Sequence, residues 1–131
     1  MKGQNFYFRF VYAMQGLRTA WKSELSFKVE IAAGFGAFLL LLIFRPAPIW
    51  WALVAIVSGA VLAAELVNTA LEKALDRLHP EKDSLIGQAK DCAAAAVLVL
   101  CGAAIVVLIA LGLQINGDSN RKTKTSIELP F

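Results

Sequence analysis

Glu65, Asn68, Glu72 and Asp76 follow one another at spacings of three, four and four residues. In a helix that spacing sets all four on one face. Three carboxylates in such a row repel one another, and each like-charge pair costs an isolated helix roughly 0.2–0.5 kcal/mol. Glu65 also closes an apolar stretch long enough to lie in a membrane, where a bare charge is expensive. A divalent cation is the natural compensation. Carboxylate and amide oxygens select Mg²⁺, which takes one or two carboxylates and leaves its remaining positions to substrate phosphates and water. The lone His79 and the separated Cys92 and Cys101 do not suit zinc. Lys90 and Asp91 follow, and Lys90 could neutralise a phosphate or one of the acids. Glycine-rich phosphate loops are absent from the sequence, so phosphate here would be handled by metal, lysine and helix ends. Taken singly, Glu24, Glu30 and Asp76 read equally well as solvated acids. Glu65, Asn68 and Glu72 on one face at a membrane boundary do not.

The elements that must carry these residues are helical. Over residues 5–26, Phe6, Phe10, Met14, Leu17, Trp21 and Leu25 recur every three or four positions, with Arg9, Gln15, Arg18 and Lys22 off that stripe. This pattern predicts an amphipathic helix lying in the headgroup layer. A second helix is expected over 27–44. Its apolar run from Ile31 to Phe44 rises only about 21 Å. It crosses a hydrocarbon core of roughly 30 Å only by borrowing Phe27 and Val29, with Lys28 and Glu30 near the interface. Arg45-Pro46-Ala47-Pro48 reads as a turn. A third helix is expected over 49–78, with Trp50 and Trp51 placed as an aromatic belt and His79-Pro80 as its stop. Asp83 or Ser84 can cap a fourth helix over 84–113. Residues 116–131 read as a polar, disordered tail beyond a single domain of residues 1–115.

Composition agrees. The 131 residues are 58% hydrophobic, with a mean hydropathy of +0.62. A soluble domain of this length cannot hide so much apolar surface, so the excess must face lipid or another subunit. A formal net charge of +3, spread along the chain, gives no nucleic-acid footprint. The first 26 residues hold no uninterrupted apolar run and do not read as a secretory signal. Cys92 and Cys101 fall on opposite faces of one helix and read as small buried hydrophobes. Lys2, Arg9, Arg18, Lys22, Lys28, Lys73, Arg77, Lys82 and Lys90 fall on one side of a three-span arrangement. Arg45, Arg121, Lys122 and Lys124 fall on the other. Nine against four places the first side, and the acidic face with it, in the cytoplasm.

Three segments carry a resemblance: GLRTAWKSELSFKVE (16–30), AELVNTALEKALDRL (64–78) and GQAKDCAAAAVLVL (87–100). In order and separation they resemble the small prokaryotic integral-membrane lipid kinases, the diacylglycerol kinases and their undecaprenol kinase relatives, over residues 6–113. The resemblance implies an all-α homotrimer in the bacterial inner membrane, with three transmembrane helices and one surface helix per subunit and with active sites shared between subunits. By position it implies Glu65 as catalytic base beside the lipid hydroxyl, and Glu24 and Glu72 as ligands of the Mg²⁺ on ATP. Lys28, Asn68, Asp76, Lys90 and Asp91 join Glu24 and Glu72 at the nucleotide, and Trp21 and Glu30 join Glu65 at the lipid. FRFVYAMQG resembles the start of undecaprenol kinases, whereas WKSELSFKVE resembles diacylglycerol kinases. Ala13 stands where some members have a serine.

Phosphoryl transfer needs in-line positioning and charge neutralisation more than covalent help, and an acidic helix face that holds Mg²⁺ supplies both. The expected activity is therefore transfer of the γ-phosphate of MgATP to a membrane lipid alcohol, diacylglycerol first and undecaprenol as the alternative. A small oligomeric channel or transporter is the competing class. Such a protein places its acids near the midplane, whereas these cluster at one surface and run into an aqueous loop.

Overall fold

The computed structural model describes residues 5–127, with side chains described for 5–121. Lys2, counted above in the charge asymmetry, and the last tail residues, 128–131, lie outside that range. Four helices follow in chain order: α1 (Phe6–Ser23), α2 (Leu25–Phe44), α3 (Pro48–Leu78) and α4 (Ser84–Ile127). Three of them, α2, α3 and α4, are long and apolar enough to cross a membrane. The chain is thus an all-helical membrane protein with three candidate spans, as the hydropathy pattern predicted.

Local chemistry sets most of the boundaries. The α1–α2 junction falls at Glu24, whose backbone is extended (φ −113°, ψ 118°), rather than after residue 26. The break turns the chain so that Leu25 and Ser26 open α2, the first candidate membrane helix, instead of finishing α1. Arg45 ends α2 in the left-handed region (φ 46°), and its N–H donates to the Leu41 carbonyl at 2.9 Å. The prolines that follow cannot extend α2. Pro48 sits in the first turn of α3, where its missing N–H costs nothing. His79 closes α3 through its N–H to the Leu75 carbonyl, ahead of Pro80. Asp83 caps α4: its Oδ1 accepts from the backbone N–H of Leu85 at 2.8 Å and of Ile86 at 3.1 Å.

The far end of α4 departs from expectation. Instead of a disordered tail from residue 116, the helix continues to Ile127. No proline lies between Pro80 and Pro130, and Gln114 donates across one turn to Asp118 at 3.1 Å. A helix already nucleated by the membrane span therefore propagates into polar sequence at little cost. At 44 residues, α4 is about 66 Å long, more than twice the hydrocarbon thickness.

The core of the chain is thin. Ala37, Leu41, Val54 and Leu111 form it, with Trp50, Trp51, Val107 and Ile115 packed against them, and Phe38 meets Trp51 edge-on at 5.7 Å. Large apolar side chains elsewhere stay exposed on the isolated chain. They include Phe35, Ile43, Ile56, Val67, Leu98, Val99 and Val106 on the spans and Phe6, Tyr7, Phe8, Phe10 and Trp21 on α1. Cys92 is exposed as well. The reading of both cysteines as buried holds in part for Cys101 alone, because the face of α4 bearing Cys92 turns away from α2 and α3.

Candidate active site

The site forms where the α1–α2 junction and the start of α4 meet the second half of α3. Glu65 lies about 26 Å along α3 from Pro48, at the inner edge of a membrane-thick span. Glu72 follows about 10 Å further along, and Asp76 another turn beyond. Burial follows this order: Glu65 is buried at 4% exposure, Glu72 is half-buried and Asp76 exposed. Thr69, also buried, packs between the two levels.

Each acid meets a different partner. The Ser26 hydroxyl of α2 donates to Glu65 Oε1. Asn68 Nδ2 donates to Glu72 Oε1 at 3.4 Å, one turn along the same helix. Asn68 Oδ1 is buried without a partner. Glu24 lies 3.6 Å from Lys73 Nζ, which also donates to Ser23 Oγ at 3.2 Å. Lys73 thereby ties the α1–α2 junction to α3. Asp76 pairs with Lys90 of α4 at 2.7 Å, and both line a cavity of about 390 Å³ with the 79–83 loop and the first turn of α4. Both ion pairs are partly or largely exposed and add little to stability. Their effect is to hold cations beside the acids.

Of the residues singled out in the sequence, Glu24, Glu65, Asn68, Glu72, Asp76 and Lys90 thus fall along one strip of α3 and its neighbours. Others stand apart from it. Lys28 lies over the Trp21 ring at 5.9 Å, and Asp91 is exposed on α4. Glu30 sits one turn deeper than Ser26 on α2. Its Oε1 is 3.8 Å from Cys101 Sγ, within reach of the thiol donor, and its Oε2 is buried without a partner. Below it a cavity of about 240 Å³ opens between α2, α3 and α4, lined by apolar groups such as Ala37, Val54, Val61 and Leu108. Sequence reading gave no site role to Ser23, Ser26, Lys73 or Cys101. Only Ser26 left a local signal there, four residues before Glu30 on the same helical face.

The residues present fit a magnesium ion. Among the described residues, no group of three or more acids, histidines or cysteines is placed to hold a metal by itself. Mg²⁺ in phosphoryl transfer does not require such a cage, because one or two carboxylates suffice when phosphates complete the sphere. The unpartnered Asn68 Oδ1 beside Glu72 is a further hard oxygen left open.

Comparison with known proteins shows the family to which the chain belongs. The sequence model for prokaryotic diacylglycerol kinase matches residues 11–111. The chain belongs to the prokaryotic diacylglycerol kinase family. A diacylglycerol kinase of Haemophilus influenzae is 35% identical over 98 residues, covering 72% of this chain and 81% of its own. The diacylglycerol kinase of Escherichia coli K12 is 33% identical over 95 residues, covering 72% and 78%. An undecaprenol kinase of Bacillus subtilis is 29% identical over 110 residues, covering 84% and 86%. The matched span includes every acid of the strip, the α1–α2 junction and Lys90. The resemblance read from the motifs is thereby confirmed, and membership in a family of lipid kinases sets aside the channel reading.

Proposed function

We propose that the protein transfers the γ-phosphate of MgATP to the hydroxyl of a membrane lipid, with diacylglycerol as acceptor and phosphatidic acid as product. The observation that carries this reading is the depth order along α3: a buried carboxylate at the membrane edge, a half-buried one a turn and more beyond it, and an exposed acid–lysine pair at the loop. Glu65 takes the proton of the lipid hydroxyl, the new O–P bond forms on the γ-phosphorus, and the bond to the β-phosphate oxygen breaks as ADP leaves. Glu72 and Glu24, with Asn68 close by, would hold Mg²⁺, which would supply neutralisation of the phosphate charge during transfer. Asp76, Lys90 and Asp91, with Lys28, frame the nucleotide. Glu30 and Trp21 stand on the lipid side, and the apolar cavity beneath Glu30 suits a hydrocarbon chain. Undecaprenol is a second acceptor worth offering, because the undecaprenol kinase match covers the largest share of this chain among the relatives compared above. Purified protein in vesicles, given MgATP, should consume ATP only when a lipid alcohol is added. Diacylglycerol and undecaprenol offered side by side name the acceptor, and ATP turnover indifferent to both would remove the kinase reading.

The assembly fitting this subunit is a homotrimer. The exposed apolar faces of α4, the exposed Ala94–Ala96 stretch that permits close helix approach, and the thin core all call for neighbours in the membrane. The aromatic residues of α1 suit the headgroup layer, with the site on the cytoplasmic face of the bacterial inner membrane. That topology predicts opposite labelling. In a background with Cys92 and Cys101 replaced by alanine, Asp83→Cys should react with a membrane-impermeant thiol reagent only from the cytoplasmic side, and Ala47→Cys only from the other. Labelling of both from one side would remove the three-span arrangement.

A further inference from the structure

We propose that Ser26 is a positioning residue for phosphoryl transfer, holding the Glu65 carboxylate in the orientation from which it accepts the lipid proton. The proposal rests on the reading of Glu65 as the base. Ser26 stands in the first turn of α2, two residues past the break at Glu24, and its hydroxyl donates to Glu65 Oε1. Its own position is fixed from both sides. On one side Lys73 grips Ser23 and Glu24. On the other, Phe27 is buried at 1% exposure and anchors α2. Glu65 is buried, so its carboxylate cannot rely on bulk water to choose its rotamer.

The neighbour one turn deeper would turn that carboxylate the wrong way. Glu30 is an acid whose Oε1 meets the Cys101 thiol and whose Oε2 has no partner. It offers Glu65 no donor when ionised, and it would compete for any proton the base acquires. Ser26 is the hydroxyl on the opposite, aqueous side. By occupying Oε1 it fixes the carboxylate in one rotamer and leaves Oε2 as the oxygen that takes the lipid proton. A hydrogen bond to an ionised group is about twice as strong as a neutral one, which is enough to select one rotamer over others.

Ser26→Ala removes the donor without weakening the helix, since alanine is the better helix former. In the full-length protein reconstituted in lipid vesicles, its kcat should fall roughly tenfold to a hundredfold, the range set by loss of a charged hydrogen bond. KM for MgATP and for the lipid, and the thermal midpoint, should hold. Ser26→Thr, which keeps the hydroxyl, should recover most of the rate. Added to Glu65→Gln, Ser26→Ala should cost nothing further, because the two residues act as one unit. A kcat for Ser26→Ala within about twofold of wild type overturns the proposal alone. So does an undiminished loss in the Glu65→Gln background, or a rate that Ser26→Thr leaves low. Full turnover by Glu65→Gln overturns the base assignment itself, and the positioning role with it.

Discussion

Glu65→Gln should abolish turnover while leaving nucleotide binding close to wild type. The substitution removes a proton acceptor from a buried position and keeps its size, and the glutamine oxygen can still accept from Ser26. No metal ligand is touched, because Glu65 lies about 10 Å from Glu72 along the axis, on the apolar side of the membrane boundary. Loss of a general base typically costs about 10²–10⁴-fold, and the deficit should appear in single-turnover rates, where product release plays no part. ATP affinity measured on the same samples should be little changed. If Glu65→Gln instead loses nucleotide binding while Glu72→Gln keeps it, the two acids exchange roles and Glu65 is the metal ligand.

Glu72→Gln should do the complementary damage. Glu72 is half-buried, one turn from Asn68 and nearer the loop end of α3 than Glu65, which is why the proposed reading puts MgATP beside it. Replacing it removes one of two carboxylates from an ion that needs negative oxygen ligands. MgATP affinity should weaken by at least the roughly tenfold to hundredfold that losing even an outer partner costs a metal site. The Mg²⁺ concentration for half-maximal rate should rise, and saturating Mg²⁺ should recover part of the lost activity. Titrating Mg²⁺ at fixed ATP for wild type, Glu24→Gln and Glu72→Gln decides the matter. An unchanged Mg²⁺ dependence in both variants would take the metal away from this pair.

Much of this arrangement could be read before the fold was known, because its cause is local. The 3–4–4 spacing of Glu65, Asn68, Glu72 and Asp76 becomes one face in any α-helix, whatever packs against it. The caps behave likewise: Asp83 bonds residues two and three ahead of it, and Pro46 and Pro48 stop one helix and begin another. The tail was misread for a related reason. Polar composition signals poor burial, but it does not stop a helix already running out of a membrane span, and α4 continues to Ile127.

The partners of the acids belong to the tertiary structure. Ser26 and Glu65 are 39 residues apart, and Glu30 and Cys101 are 71 apart. No periodicity links such pairs. They meet because α2 and α3 run antiparallel across one bilayer thickness, so residues equally distant from the same membrane face come level, and α4 brings Cys101 and Lys90 to their own depths. Sequence alone determined which residue types face one way along each helix, through a 3.6-residue period and a hydrophobic length that had to match the membrane. Only packing decided which hydroxyl, amide or lysine meets each carboxylate, because that depends on the level and rotation of separate helices against one another, which no single helix carries in its own sequence.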